Sequence, residues 1–113
     1  MYVNVFRSRK RDGHDAAPYG EDARRMGELA RAQPGFVDYK SFAAPDGETV
    51  TISVWASAEA ARGWAAHPEH RAVQARGRAD YYAEYTMYSC HEAQERRFTC
   101  QAQERRFTGE APG

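Results

Sequence analysis

The sequence predicts an α+β domain of the ferredoxin-like, split-βαβ kind: a four-stranded antiparallel sheet with helices on one face. Three observations predict it. Strand-like and helix-like runs follow the order β-α-β-β-α-β. The second and third strand-like runs are joined by the turn "PDG" (Pro45 to Gly47), which makes them a hairpin. The third run, "ETVTISVW", has one apolar face (Val50, Ile52, Val54) and one of small hydroxyls ending in an indole (Thr51, Ser53, Trp55). A sheet left open on one side carries a strongly polar face there. Neither face of this strand is strongly polar, so helices are expected over one and a second sheet over the other. Another copy of the chain supplies that second sheet, and the expected assembly is a homodimer packed sheet to sheet.

Each element has its own warrant. "YVNVF" (Tyr2 to Phe6) is β-branched and aromatic, hence a strand. A charged loop with the turn pair Asp12-Gly13 follows. From Tyr19 to Gln33 the apolar period changes. Tyr19, Ala23, Met26, Leu29, Ala30 and Gln33 form a helical stripe, with Arg24, Arg25, Glu28 and Arg31 on the solvent side. Pro34-Gly35 stops that helix. "FVDYKSFA" (Phe36 to Ala43) is the second strand, and Glu48 to Trp55 the third. Ser57 caps a helix over Ala58 to His67, and Pro68 suits the first turn of a further helix running to about Tyr81. "YAEYTMYSC" (Tyr82 to Cys90) is the fourth strand, with room to extend to Phe98. Alternation in it puts Tyr82 and Tyr88 on one face and Tyr85 on the other.

Composition narrows the function classes. With 113 residues the chain is a single domain that can bury a modest core. Seven Tyr, five Phe and two Trp supply much of any core or pocket. Sixteen basic and sixteen acidic residues cancel, which argues against a nucleic-acid or anionic-membrane binder. No apolar run reaches the 18 or so residues of a membrane span, and the charges of "MYVNVFRSRKR" follow its apolar part, the reverse of a signal peptide. The expected location is the cytoplasm. Cys90 and Cys100 form no CxxC and read as two ordinary thiols. "AQERRFT" occurs at Ala93 to Thr99 and again at Ala102 to Thr108. A shift of nine, an odd number, would exchange the two faces of a strand, so one copy is expected in or after the last strand and the other in a loose tail. The domain is read as residues 1–98, with 99–113 as the tail.

One stretch carries most of the chemistry. "WAAHPEHRAVQ" (Trp64 to Gln74) holds an indole, two imidazoles and an amide in about three helical turns. With Pro68 between them, His67 ends one helix and His70 starts the next turn. Two histidines do not make a zinc site, which wants three protein ligands, so no metal is expected. No GxGxxG follows a strand, so no nicotinamide or flavin motif is present. Asn4 stands mid-strand, where Asn is disfavoured, and shares a face with Tyr2 and Phe6. Arg7 reads as a solvated strand end or an anchor for an acidic group.

Taken together, "FRSR", "QPGF", "TISVWAS" and the pattern W-x2-H-x2-H-x3-Q-x2-G over Trp64 to Gly77, followed by paired aromatics and a Cys-ending strand, resemble the antibiotic biosynthesis monooxygenase (ABM) family. The resemblance covers about Met1 to Cys90. It implies a ferredoxin-like subunit, a sheet-packed homodimer and a pocket between helices and sheet. Some members oxidise polycyclic phenols such as anthrones with O2 and no cofactor; another branch binds and degrades haem. In the cofactor-free members a Trp equivalent to Trp55 holds the flat substrate, and an Asn lies four residues before it. Thr51 stands at that position here, and its hydroxyl is a poorer oxyanion donor than an amide. In the haem branch Asn4 and Trp64 match two site residues, but the iron-ligating His is replaced by Gln74, and iron wants imidazole.

The expected function is therefore that of a cofactor-independent monooxygenase for an aromatic or enolisable small molecule and O2. Asn4, Trp55, Trp64, Gln74 and Tyr82 would position the substrate, and His67 or His70 would move the proton. The alternatives are a non-catalytic small-molecule-binding protein on the same fold, and a haem-binding or haem-degrading member.

Overall fold

The computed structural model describes residues 1–14 and 16–100. Its elements are β1 (Tyr2–Lys10), α1 (Ala16–Arg31), β2 (Phe36–Ala43), β3 (Thr49–Trp55), α2 (Ala58–Ala65), α3 (Pro68–Arg76), a π-helical turn (Gly77–Tyr81) and β4 (Tyr82–Cys90). The strands lie in the order β2-β3-β1-β4, every neighbour antiparallel. This is the ferredoxin-like sheet that the sequence predicts.

The boundaries have local causes. α1 begins three residues before the expected Tyr19, because Pro18 falls in the first turn, where a missing N–H leaves no helix bond unmade. At the β2–β3 turn the Asp46 carboxylate accepts from the Glu48 N–H at 3.0 Å, and Gly47 takes φ +92°. The Ser57 hydroxyl accepts from the Ala60 N–H at 3.1 Å, capping α2. His67 caps α3 in the same way: its Nδ1 accepts from the Glu69 N–H at 3.2 Å, and Pro68 follows in the first turn. β4 ends at Cys90 and does not continue to Phe98. There Glu92 turns through φ +52°, the Ala93 N–H bonds the Met1 carbonyl at 2.8 Å, and the Ala93 to Thr99 copy of the repeat forms no strand. The copy at Ala102 to Thr108 lies outside the described residues.

Which face of the sheet the helices cover decides where the site is. Trp55 is fully buried in a core with Met26 and Ala30 of α1 and Ala61 and Trp64 of α2. The hydroxyl face of β3 is thus the one beneath the helices. By alternation, Val50, Ile52 and Val54 lie on the opposite face. Their register partners there include Val3 and Val5 of β1, Phe42 of β2 and, across β1, Tyr88 of β4. Phe42 and Tyr88 stay about half exposed. The face is apolar along its middle and charged at one end, where Arg7 pairs with Glu48 at 3.0 Å and Arg9 with Asp46 at 2.8 Å. No helix of the described residues is long and apolar enough to cross a membrane.

Candidate functional site

The inward residues of α3 explain the site. None is fully buried, although the helix lies over the sheet. The reason is a hollow beneath it, a cavity of about 350 Å³ between the helices and the hydroxyl face. That volume lies within the usual range for small-molecule sites.

The floor is Asn4, Phe6 and Ser8 of β1, Ser41 of β2, and Thr51 and Ser53 of β3. Small side chains are what leave the space open. Ser41 and Thr51 share a hydrogen bond at 2.7 Å, and the Ser89 hydroxyl donates to the Asn4 Oδ1 at 2.9 Å. That bond engages the oxygen of the Asn4 amide and leaves its nitrogen as the end that can serve a guest.

One wall is a stack of rings. Trp55 lies against Trp64 (centroids 6.2 Å, planes 26° apart), and Trp64 lies flat on His70 (4.1 Å, 14°). His70 Nδ1 is 3.0 Å from the Trp64 carbonyl oxygen, which can only accept, so Nδ1 carries the hydrogen. The neutral ring therefore has its lone pair on Nε2. The amide nitrogen of Gln74, one turn on, sits 3.4 Å from it. Burial pushes the His70 pKa below the ordinary histidine value. Its bond to the Trp64 carbonyl opposes this, and nearby His67 adds to the lowering.

A lowered pKa makes the folded state prefer the neutral ring. The resulting stability is complete above the unfolded value of about 6.5 and is lost as pH falls through the lowered folded value. An NMR titration of the His70 ring is expected to give a midpoint below about 6.5, with melting temperature declining over the same acidic interval. A midpoint above that value would contradict the buried placement.

The opposite wall is made of tyrosines. Tyr82 meets Phe6 at 5.5 Å and Tyr85 at 6.0 Å, and Tyr19 meets Tyr81 at 5.3 Å. Gly77 is what admits Tyr82, because a Cβ there would stand 2.6 Å from its ring. Burial raises the Tyr82 pKa, with Tyr19 contributing, so its hydroxyl keeps its proton. The expected split of β4, with Tyr82 on the face of Tyr88, is corrected. Lys10 pairs with Tyr82 and Arg9 with Glu84, so Ala83 is an extra residue that turns Tyr82 to the same side as Tyr85. Both line the cavity; Tyr88 is on the far face.

The rim ties α1 to the end of α3. Arg76 bonds both oxygens of Asp22 at 2.9 Å, and the Tyr81 hydroxyl donates to Asp22 at 2.7 Å. The Arg76 guanidinium holds the Asp22 carboxyl below the usual carboxylate range, with Tyr81 adding to it against the effect of burial. Arg11 steadies the π turn by donating to the carbonyls of Arg78 (2.8 Å) and Tyr82 (2.9 Å).

Of the residues singled out in the sequence, Asn4, Trp64, His70, Gln74 and Tyr82 come together on the cavity. Trp55 and His67 do not line it. Trp55 lies in the core behind Trp64, its indole N–H without a partner among the described residues, and His67 is the α3 cap. Arg7 pairs with Glu48 on the other side of the sheet. Tyr19, Asp22, Tyr39 and Tyr81 also line the site and were not singled out as site residues. Tyr19 reads as helix core, and nothing in the sequence joins Asp22 to Arg76 across 54 residues.

Comparison with known proteins fixes the lineage. The profile of the family described as "Antibiotic biosynthesis monooxygenase" matches residues 1–76. YqjZ of Bacillus subtilis (strain 168), an uncharacterised protein, is 36% identical over 97 residues, covering 86% of this chain and 83% of its own. This chain belongs to the antibiotic biosynthesis monooxygenase family. Solved structures agree on the ABM fold. Rv0793 from Mycobacterium tuberculosis superposes with a TM-score of 0.73 at 17% identity, over 83% of this chain and 96% of its own. SnoaB, a cofactor-independent oxygenase from Streptomyces nogalater solved in a mutant form, superposes with a TM-score of 0.69 at 22% identity, over 83% and 94%. At those identities the two structures speak for the ABM fold alone.

Proposed function

We propose that this ABM protein is a cofactor-independent monooxygenase for an aromatic, enolisable small molecule. The observation that carries the reading is the unprotonated Nε2 of His70, held on the cavity wall by a fixed tautomer opposite a set of aromatic rings.

The chemistry balances with O2 as the sole co-reactant. Nε2 removes a proton from a CH2 flanked by electron-withdrawing groups. The carbanion reduces O2 and bonds to it, giving a carbon-bound peroxide. The peroxide takes the proton back from His70 and loses water as the second C–H breaks. The sum is CH2 + O2 → C=O + H2O. Burial favours the neutral imidazole, which is the form that begins the cycle. Trp64, Tyr82 and Phe6 bracket a flat ring, and the Asn4 amide faces its oxygens. O2 uptake with an anthrone, measured at an oxygen electrode, tests the reading; no uptake above the protein-free rate would overturn it.

Haem is the cofactor that one branch of the family implies. The axial ligand that branch uses is a histidine imidazole, and Gln74 stands at that position in this chain. A glutamine amide is no axial ligand for iron, and the ring of His70, one turn before it, is packed flat on Trp64. This donor set does not fit a haem iron. Hemin added to the protein is expected to give no Soret band of a ligated haem.

The same proposal includes a homodimer. The partly buried apolar stripe of Val3, Val5, Val50, Ile52 and Val54, with the half-exposed Phe42 and Tyr88 beside it, supports a second copy as its cover. Sedimentation of the wild type is expected to give twice the chain mass. Ile52→Arg, which sets a charge in the middle of that stripe, is expected to sediment as a single subunit at micromolar concentration. A single-subunit wild type would overturn the dimer and leave the cavity chemistry standing.

A further inference from the structure

Gln74 is the residue whose chemistry the reading above leaves unused. It stands one helical turn after His70, and its amide nitrogen is the polar atom that meets Nε2. We propose that Gln74 is the positioning residue of the base: its amide donates to Nε2 while the ring is neutral, and turns over to accept from Nε2–H once the ring has taken a proton. The inference rests on His70 being the base, and adds how that base is held through both of its states.

The argument begins at the other nitrogen. The Trp64 carbonyl lies at the end of α2 and accepts from the His67 N–H at 3.1 Å as well as from His70 Nδ1 at 3.0 Å. A carbonyl never donates, so Nδ1 keeps its hydrogen whether the ring is neutral or charged. The stack on Trp64 holds the imidazole in the orientation that keeps Nδ1 on that carbonyl. Every proton gained or lost by His70 must therefore pass through Nε2.

A glutamine suits that position for a chemical reason. Its amide carries a donor and an acceptor on one planar group, so half a turn about its last side-chain bond exchanges them. With the ring neutral, the NH2 end faces a lone pair. With the ring protonated, the NH2 end would face an N–H, and the carbonyl end must replace it. The 3.4 Å contact is long, so an acidic substrate group can displace the amide without losing a strong bond. Leucine could do neither job. A glutamate would accept permanently and fix the proton on the ring.

The other groups around His70 are otherwise engaged. His67 uses Nδ1 to cap α3. Asp22 of α1 is bound by Arg76 and Tyr81. Tyr39 of β2 and Tyr82 of β4 have their pKa values raised, chiefly by burial, and stay protonated. Arg78 at the mouth and Tyr19 and Tyr85 on the far wall complete the titratable lining. Among the described residues, none of these makes a hydrogen bond to Nε2.

The test is long-range proton–nitrogen NMR of the imidazole rings, with His70→Gln to assign the signal, on wild type, Gln74→Leu and Gln74→Glu. The wild type is expected to show the Nδ1–H tautomer. Gln74→Glu is expected to raise the His70 midpoint by about 1–3 units and leave the ring charged at neutral pH, as a carboxylate beside a base does. Gln74→Leu removes the acceptor of the charged ring, so the midpoint is expected to fall below that of the wild type. Identical midpoints in all three proteins, or an Nε2–H tautomer in the wild type, would overturn the proposal. The outcome is independent of turnover. If the midpoints move as expected while His70→Gln still consumes O2, the pairing stands and the catalytic reading falls.

Discussion

His70→Gln is expected to lower the rate of O2 uptake by about 10²- to 10⁴-fold, the range that a positioned general base contributes. Glutamine keeps a polar side chain of similar length at the site but has no titratable lone pair. The structural cost is small. The Trp64 carbonyl retains the His67 N–H when it loses Nδ1–H, so about one net hydrogen bond is at stake, roughly 1 kcal/mol. The variant should therefore fold, and circular dichroism and sedimentation should match the wild type. The loss should fall on kcat, with KM changed little, because the proton moves in the transition state while Trp64, Tyr82 and Phe6 still bracket the ring. In the wild type the rate should decline on the acid side, below about 6.5, as His70 is protonated. A variant that retains full activity would remove His70 from the chemistry and leave the protein a binding module with a histidine in its wall.

The contrast between His70 and His67 shows how much the sequence could say. Proline between two histidines three residues apart implies a broken helix, but leaves either of them as the candidate base. The structure gives one the cap and the other the cavity wall. Trp64, His70 and Gln74 were legible together because they lie within eleven residues and helical spacing puts 70 and 74 on one face. The strand order was legible for a similar reason: β-branched and aromatic runs, one turn triplet and one helical stripe each act locally. What failed was non-local or irregular. The extra residue at Ala83 turns Tyr82 about, and no alternation pattern can register a bulge that depends on pairing with β1. The π turn of Gly77–Tyr81 reads as ordinary helix, because its wider ring leaves no mark in the apolar period. The Asp22–Arg76–Tyr81 tie joins positions brought together only by the fold. Trp55 is a wall of the pocket only by the family resemblance; in the structure Trp64 lies against it and takes that place.

Gly35→Ala is expected to destabilise the protein by about 2–5 kcal/mol, from two separable causes. Gly35 has φ +77°, a left-handed conformation that costs an L-residue about 1–2 kcal/mol. The new Cβ would also stand 2.5 Å from the Cβ of Ala60. Overpacking of that kind costs about 1–3 kcal/mol. Neither side can yield easily. The Gly35 carbonyl accepts from the Ala56 N–H at 2.8 Å, where β3 passes into α2, and the Ala60 N–H is held by the Ser57 cap. Set against a usual stability of about 5–15 kcal/mol, the loss should lower the melting temperature by about 10 °C or more. Ala60→Gly in the same chain should restore the packing part and leave the backbone part, a coupling that a double-mutant cycle reads directly. Activity should suffer as well. α2 carries Trp64, whose ring is the bed of His70 and whose carbonyl fixes its tautomer. A helix pushed outward at Ala60 moves both, so the double variant should recover O2 uptake along with stability. If Gly35→Ala melts within about 2 °C of the wild type, the Gly35–Ala60 contact is not what holds that helix, and the base stands on some other support.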